Sequence, residues 1–187
     1  VLMSAILKAK NIPCRSRAGF APYLNEEESG DHWINQYWNN KENRWITFDA
    51  DGFFEDSILG FNQFDIPDNR FDWAAKTWLD VRNGILDGKK FTYADGQGTK
   101  SLKAIIRAVF YDFHALMNNE ISYKFQPCYI DEKFDRLTEA DLEEIDRLSE
   151  LMQKPDQNFD KLVYIWKTTR KFRILNSTLV GDWDNSL

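Results

Sequence analysis

The stretch Asp31-His32-Trp33-Ile34-Asn35-Gln36-Tyr37-Trp38-Asn39-Asn40-Lys41-Glu42-Asn43-Arg44-Trp45-Ile46-Thr47-Phe48-Asp49 decides how this chain is read. Two aromatic-rich, strand-like runs, 32–38 and 44–49, flank the polar turn Asn39-Asn40-Lys41-Glu42. That pattern predicts an antiparallel hairpin. With the turn at 39–42, Trp38 faces Asn43, and counting back sets His32 directly across from Asp49. Cross-strand partners on one face have Cβ atoms about 5 Å apart. A slip of two residues would bring Asp51 there instead and keep the same face. Either way a carboxylate lies beside an imidazole, where it selects the tautomer and stabilises the charged ring. This is the base-and-orienter half of a nucleophilic site. The plainer reading is a packed histidine at a strand edge and an aspartate in a turn.

Upstream, Val1-Leu2-Met3-Ser4-Ala5-Ile6-Leu7 places Leu2, Ile6 and Ala9 on one helical stripe. No capping residue precedes it, so the opening reads as the middle of a helix with more chain expected before it. Neither a basic start nor a small-residue cleavage site marks a signal peptide. Asn11-Ile12-Pro13 should end the helix, because Asn accepts the left-handed end position and Pro cannot continue. Residues 14–24 favour extended chain and 25–31 an acidic loop. Downstream, 52–70 reads as ordered loop. Helices are expected over 71–86, over 99–117 and after Thr138, with a last one over 159–170. The second carries a stripe of Leu102, Ile105, Ile106, Val109, Phe110, Phe113 and Met117. Thr138-Glu139-Ala140-Asp141 has the capping-box form, followed by Leu142, Ile145, Leu148 and Met152 up to Pro155. The fold class is therefore α+β: a small antiparallel sheet over 1–66, then a mainly helical half over 67–187 packed on it.

Composition narrows the function classes. Of 187 residues, 43% are hydrophobic, enough to bury a core. A net charge of −6 gives no field that would gather nucleic acid. No apolar run reaches the roughly 18 residues of a membrane span. The two cysteines, Cys14 and Cys128, form no disulfide framework and suit a reducing, cytoplasmic setting. No metal or cofactor is expected. Two His and two Cys lie too far apart for zinc spacing, and Asp65, Asp68 and Asp72 lack the EF-hand pattern. Gly96-Gln97-Gly98 lacks the Lys-Ser/Thr of a phosphate loop. His114 reads as a packed helix residue, and Lys167, Arg170, Lys171 and Arg173 as a solvated helix end. Asn176-Ser177-Thr178 matches the glycosylation pattern, without a secretory signal to support that use.

Four segments together resemble the transglutaminase-like superfamily. Ala5 to Arg15 resembles its helix ending in Ile-Pro-(small)-Arg, and Arg17-Ala18-Gly19-Phe20 its next strand. Asp31-His32-Trp33 is similar to its histidine motif, and Trp45-Ile46-Thr47-Phe48-Asp49 to its tryptophan-to-aspartate strand. They follow one another in family order over residues 1–52. The rest of the chain resembles, less specifically, the helical tail of bacterial members. The resemblance implies a papain-like fold in which a cysteine at the start of the helix attacks an amide or ester carbonyl. His32 would be the general base and Asp49 its orienter. The matching position for that cysteine lies a few residues ahead of Val1. Cys14 falls past the far end of the helix, where a small strand residue is expected. Trp33 and Trp45, among the aromatics Tyr37, Trp38, Phe53, Phe54 and Phe61, are the candidates for lining a substrate groove. The implied partner is a peptide or protein amide, and an apolar helix face left open would favour a homo-oligomer. Without that thiol, the chain is expected to be inactive. The alternative reading is a non-catalytic peptide- or glycan-binding module on the same scaffold, and a third is a helical docking platform for another protein.

Overall fold

The computed structural model describes residues 2–25, 27–51, 59–93, 98–121 and 133–173. The predictions that fall on Phe53, Phe54, Gly96, Cys128 and Asn176-Ser177-Thr178 lie outside these residues. The architecture is mixed: five α-helices among the described residues and a small, mainly antiparallel sheet.

Helix α1 (Leu2–Ala9) stops as its sequence predicts. Asn11 takes φ 56°, its N–H bonds to the carbonyl of Lys8 at 2.9 Å, and the Ile12 N–H reaches the carbonyl of Leu7 at 3.0 Å. That is the Schellman closure, with Pro13 behind it. Strands β1 (Cys14–Phe20), β2 (Ser29–Asn39) and β3 (Arg44–Phe48) follow. The hairpin register is the two-residue-slipped one: Trp38 faces Trp45, not Asn43, and the last pair is Asn39 with Arg44. The four-residue turn closes one step later, over 40–43, because the Asn39 side chain accepts the Lys41 N–H at 3.0 Å and Asn43 adopts φ 52°. Trp38 and Trp45 then meet edge-to-face at 5.5 Å.

The expected helix over 71–86 begins later. Asp72–Trp73 is a short strand, β4, paired with Gly19 and Phe20 of β1, and helix α2 spans Ala74–Arg82. Phe71 is buried over Gly19, where a Cβ would lie 2.6 Å from the ring and 2.3 Å from the Asp72 carbonyl oxygen. The missing side chain of Gly19 is what admits β4. A fifth short strand, β5 (Phe91–Thr92), adds in parallel to the start of β2. The order is β3-β2-β1-β4.

Helix α3 (Ser101–Leu116) matches its expected stripe and exceeds it, being buried on every side from Ala104 to Leu116. One face packs on β1, and α2 and α4 (Glu139–Met152) cover the others. The predicted capping box is present at Thr138 and Asp141. Helix α5 (Phe159–Thr168) completes the helical side, with Leu162 in the core. A single apolar cluster joins Ala18 and Phe20 of the sheet to Trp78, Phe110, Phe113, Ile145, Leu148 and Phe172, so residues 1–66 and 67–187 share one core. No helix of the described residues is long and apolar enough to cross a membrane.

Candidate functional site

His32 lies on β2 opposite Gly19 of β1. Strand β3 ends at Phe48, opposite Asn35, and at Asp49 the chain turns away. The Asp49 N–H there bonds to the Gln63 carbonyl at 2.9 Å instead of to β2. The Asp49 side chain remains on the His32 face of the sheet and reaches it diagonally. His32 Nε2 and Asp49 Oδ2 are 2.7 Å apart, with side-chain exposures of 12% and 2%. Asp49, not Asp51, is thus the partner of His32 in spite of the slipped register. Asp51 contributes its backbone N–H to Asp49 Oδ1 at 2.9 Å.

A third donor comes from Tyr23, whose hydroxyl gives its proton to Asp49 Oδ2 at 2.8 Å. Burial works to raise the Asp49 carboxyl. The His32 hydrogen bond and charge, the Asp51 N–H and the Tyr23 hydroxyl outweigh it and hold the group below its ordinary value. The Tyr23 phenol is driven upward, first by burial and then by the Asp49 charge, so it stays a donor. A carboxylate can only accept, so His32 presents Nε2–H to Asp49. The Tyr23 ring stands edge-on to His32 at 6.4 Å and to Phe61 at 5.4 Å, and Arg70 covers Phe61 at 4.9 Å. Phe61 therefore does sit at the site. Tyr23 was not foreseen: it follows β1 in an irregular turn, and no periodicity points it at Asp49.

The two tryptophans are placed apart from the pair. Trp33, next to His32 on the strand, faces the other side of the sheet and packs edge-to-face on Tyr111 of α3 at 5.7 Å. Trp45 shares the His32 face but stands opposite Trp38, six residues along β2, roughly 20 Å away. Its indole N–H donates to Asp156 at 2.8 Å, and Arg15 stacks on its ring at 4.0 Å. Cys14 is paired with Tyr37, five pairs from His32 or roughly 17 Å. Its thiol donates to the Ser4 carbonyl at 3.3 Å and is raised by burial, as suits a structural cysteine. His114 is fully buried against Trp166 at 4.7 Å.

Two buried polar groups escaped the sequence reading because their partners are far apart in the chain. Ser4 Oγ meets Ser16 Oγ at 2.7 Å and accepts from Asn35 Nδ2 at 2.8 Å, fastening α1 to β1 and β2. Arg17 forks onto Asp112 of α3 at 2.8 and 2.9 Å, and Asp112 also takes the Ala18 N–H at 2.9 Å. No protein-family model, curated protein or solved structure matches the chain. The geometry offers a carboxylate with three donors and an imidazole held to it through Nε2.

Proposed function

We propose that His32 and Asp49 are the base and the orienter of a transglutaminase-like thiol site acting on amides. The 2.7 Å contact between His32 Nε2 and Asp49 Oδ2 is the observation that carries this reading. It is supported by the order helix, Ile12-Pro13, β1, His32 strand and Asp49 strand, which follows the resemblance. A papain-like core belongs to the same proposal.

In this mechanism a cysteine thiol, which the resemblance places a few residues ahead of Val1 and not within Leu2–Ala9, would give its proton to His32 Nδ1. The thiolate attacks the amide carbonyl, and His32 returns the proton to the departing amine as the C–N bond breaks. Water or a second amine then takes the acyl group, giving hydrolysis or transfer. Asp49 stays ionised and balances the imidazolium. A reducing, cytoplasmic setting keeps such a thiol active. Helix α1 also leaves Leu2 76% and Ile6 42% exposed, which supports self-association. Light scattering at micromolar concentration should give a mass above the monomer, and a strictly monomeric profile opposes it.

The direct test uses the natural protein over its whole coding region and a glutamine-bearing peptide. Ammonia release should fall by about a hundred- to ten-thousand-fold in His32→Ala and by a similar range in Asp49→Asn. Release at the wild-type rate in either variant, both folded, removes the assigned roles.

A further inference from the structure

Tyr23 lies in the turn that follows β1, where the Leu24 N–H bonds to the Ala21 carbonyl at 3.1 Å. From there its side chain meets both members of the pair. Its hydroxyl lies 2.8 Å from Asp49 Oδ2, the same oxygen that His32 Nε2 approaches at 2.7 Å. Its ring stands edge-on to the imidazole, with centroids 6.4 Å apart. Phe61 packs against that ring at 5.4 Å. Arg70 covers Phe61 in turn, and donates to the Leu59 carbonyl at 3.0 Å. The phenol is therefore held in place by its own neighbours as well as by the carboxylate.

The other anchors of Asp49 do not reach Oδ2. The Asp49 N–H goes to the Gln63 carbonyl, and Oδ1 accepts the Asp51 N–H two residues on. That second contact is the local turn a short acidic side chain makes with its own backbone. Oδ2 is left to His32 and Tyr23. Of these two, the imidazole is the group that proton transfer changes, from neutral to charged and back. The phenol stays the same throughout, because burial and the Asp49 charge keep it protonated. A hydroxyl donating to an ionised oxygen is also among the stronger hydrogen bonds.

We propose that Tyr23 is a positioning residue for the His32–Asp49 pair, its hydroxyl holding Asp49 Oδ2 in front of His32 Nε2 while the imidazole gains and loses a proton. The role rests on the reading of His32 and Asp49 as base and orienter. Tyr23 acts through Asp49 and transfers no proton itself.

The test follows the exchange of the His32 Nε2–H proton with water in ¹⁵N-labelled protein at neutral pH. The chain has two histidines, His32 and His114, and His32→Ala identifies the signal. In the parent this proton should exchange slowly. Tyr23→Phe keeps the ring and removes the hydroxyl; exchange should then be at least about tenfold faster, the order expected for one hydrogen bond to a charged group. Tyr23→Leu, which also lacks the hydroxyl, should do the same and serves if the phenylalanine variant does not fold; an unmoved His114 signal reports that the fold is kept. A His32 proton that is slow in the parent and equally slow in the folded Tyr23 variants overturns the proposal and leaves the pair standing. A proton already fast in the parent removes the pair, and the role of Tyr23 with it. A second readout uses ammonia release by the natural protein over its whole coding region. There kcat should fall about tenfold in Tyr23→Phe with KM little changed. Added to Asp49→Asn, the same change should cost less than about twofold, since both act through one carboxylate. A further loss of about tenfold in that background would place the effect of Tyr23 outside Asp49 and overturn the proposal.

Discussion

Asp49 shows how one residue can be fixed by its donors: His32 and Tyr23 on one oxygen and the Asp51 N–H on the other. A comparable arrangement holds Asp112, which is fully buried and neutralised by Arg17. Asp112→Ala should cost about 3–5 kcal/mol, since it leaves a guanidinium buried without its partner. Urea denaturation measures this, and a loss under about 1 kcal/mol would show that the pair is dispensable. His114 is one of the residues that couple stability to pH. Burial lowers its pKa to about 4 from the ordinary 6.5. The unfolded chain therefore takes up a proton that the folded chain refuses as pH falls through that window. Stability should be full above pH 6.5 and drop by up to about 3 kcal/mol towards pH 4 from this group alone. Denaturant midpoints at several pH values should show a shallower acid slope in His114→Phe; an unchanged slope would place the effect elsewhere. At this scale the sequence was legible where neighbours on a hairpin meet. Counting named Asp49 through a register that the hairpin does not adopt, and the contact with His32 is made diagonally where the chain leaves β3; Cys14 could be read as structural. Arg17 and Asp112 could not be paired, because 95 residues separate them and only the packing of α3 on β1 brings them together.

Among the elements, the junction of β1 with β4 is the most sensitive to a single atom. Gly19→Ala would place a Cβ 2.3 Å from the Asp72 carbonyl oxygen, so β4 and Phe71 must shift. A loss of about 1–3 kcal/mol is expected, the usual cost of overfilling a packed site. Because His32 lies opposite Gly19, its NMR signals should move as well. A variant as stable as the parent with His32 unmoved would show that β4 is not seated as described. The cap of α4 predicts a smaller effect: Thr138→Ala should lose about 1 kcal/mol in thermal or urea melts. Helix signals were easy to read, since a Schellman stop and a capping box are local chemistry. The hairpin register was harder to derive. Counting turn residues gave a four-residue loop one step too early, and only the Asn39 side chain and the positive φ of Asn43 settle where it closes. The strands β4 and β5 have two residues each and carry no period at all.

In the whole molecule, α3 is the axis: the sheet lies on one side and α2 and α4 on others. An all-round buried helix is expected when a chain has this many aromatics to cover, yet its stripe alone shows only one face. That packing leaves the opposite face of the sheet to the site. His32 and Asp49 stand at one end of that face and Trp45, opposite Trp38, at the other, roughly 20 Å along the strand, with Phe71 packed over Gly19 beside His32. Trp33, expected to line the site, serves the core instead, because strand alternation turns it towards α3. The central claim is that His32, oriented by Asp49, activates a thiol. The measurement that bears on it most directly is the rate of iodoacetamide alkylation, mapped cysteine by cysteine, in the natural protein over its whole coding region. We predict one cysteine that reacts much faster than Cys14 at neutral pH and loses that advantage by at least a hundredfold in His32→Ala. A uniformly slow set of cysteines in the wild type, or a fast one indifferent to His32, would contradict the account.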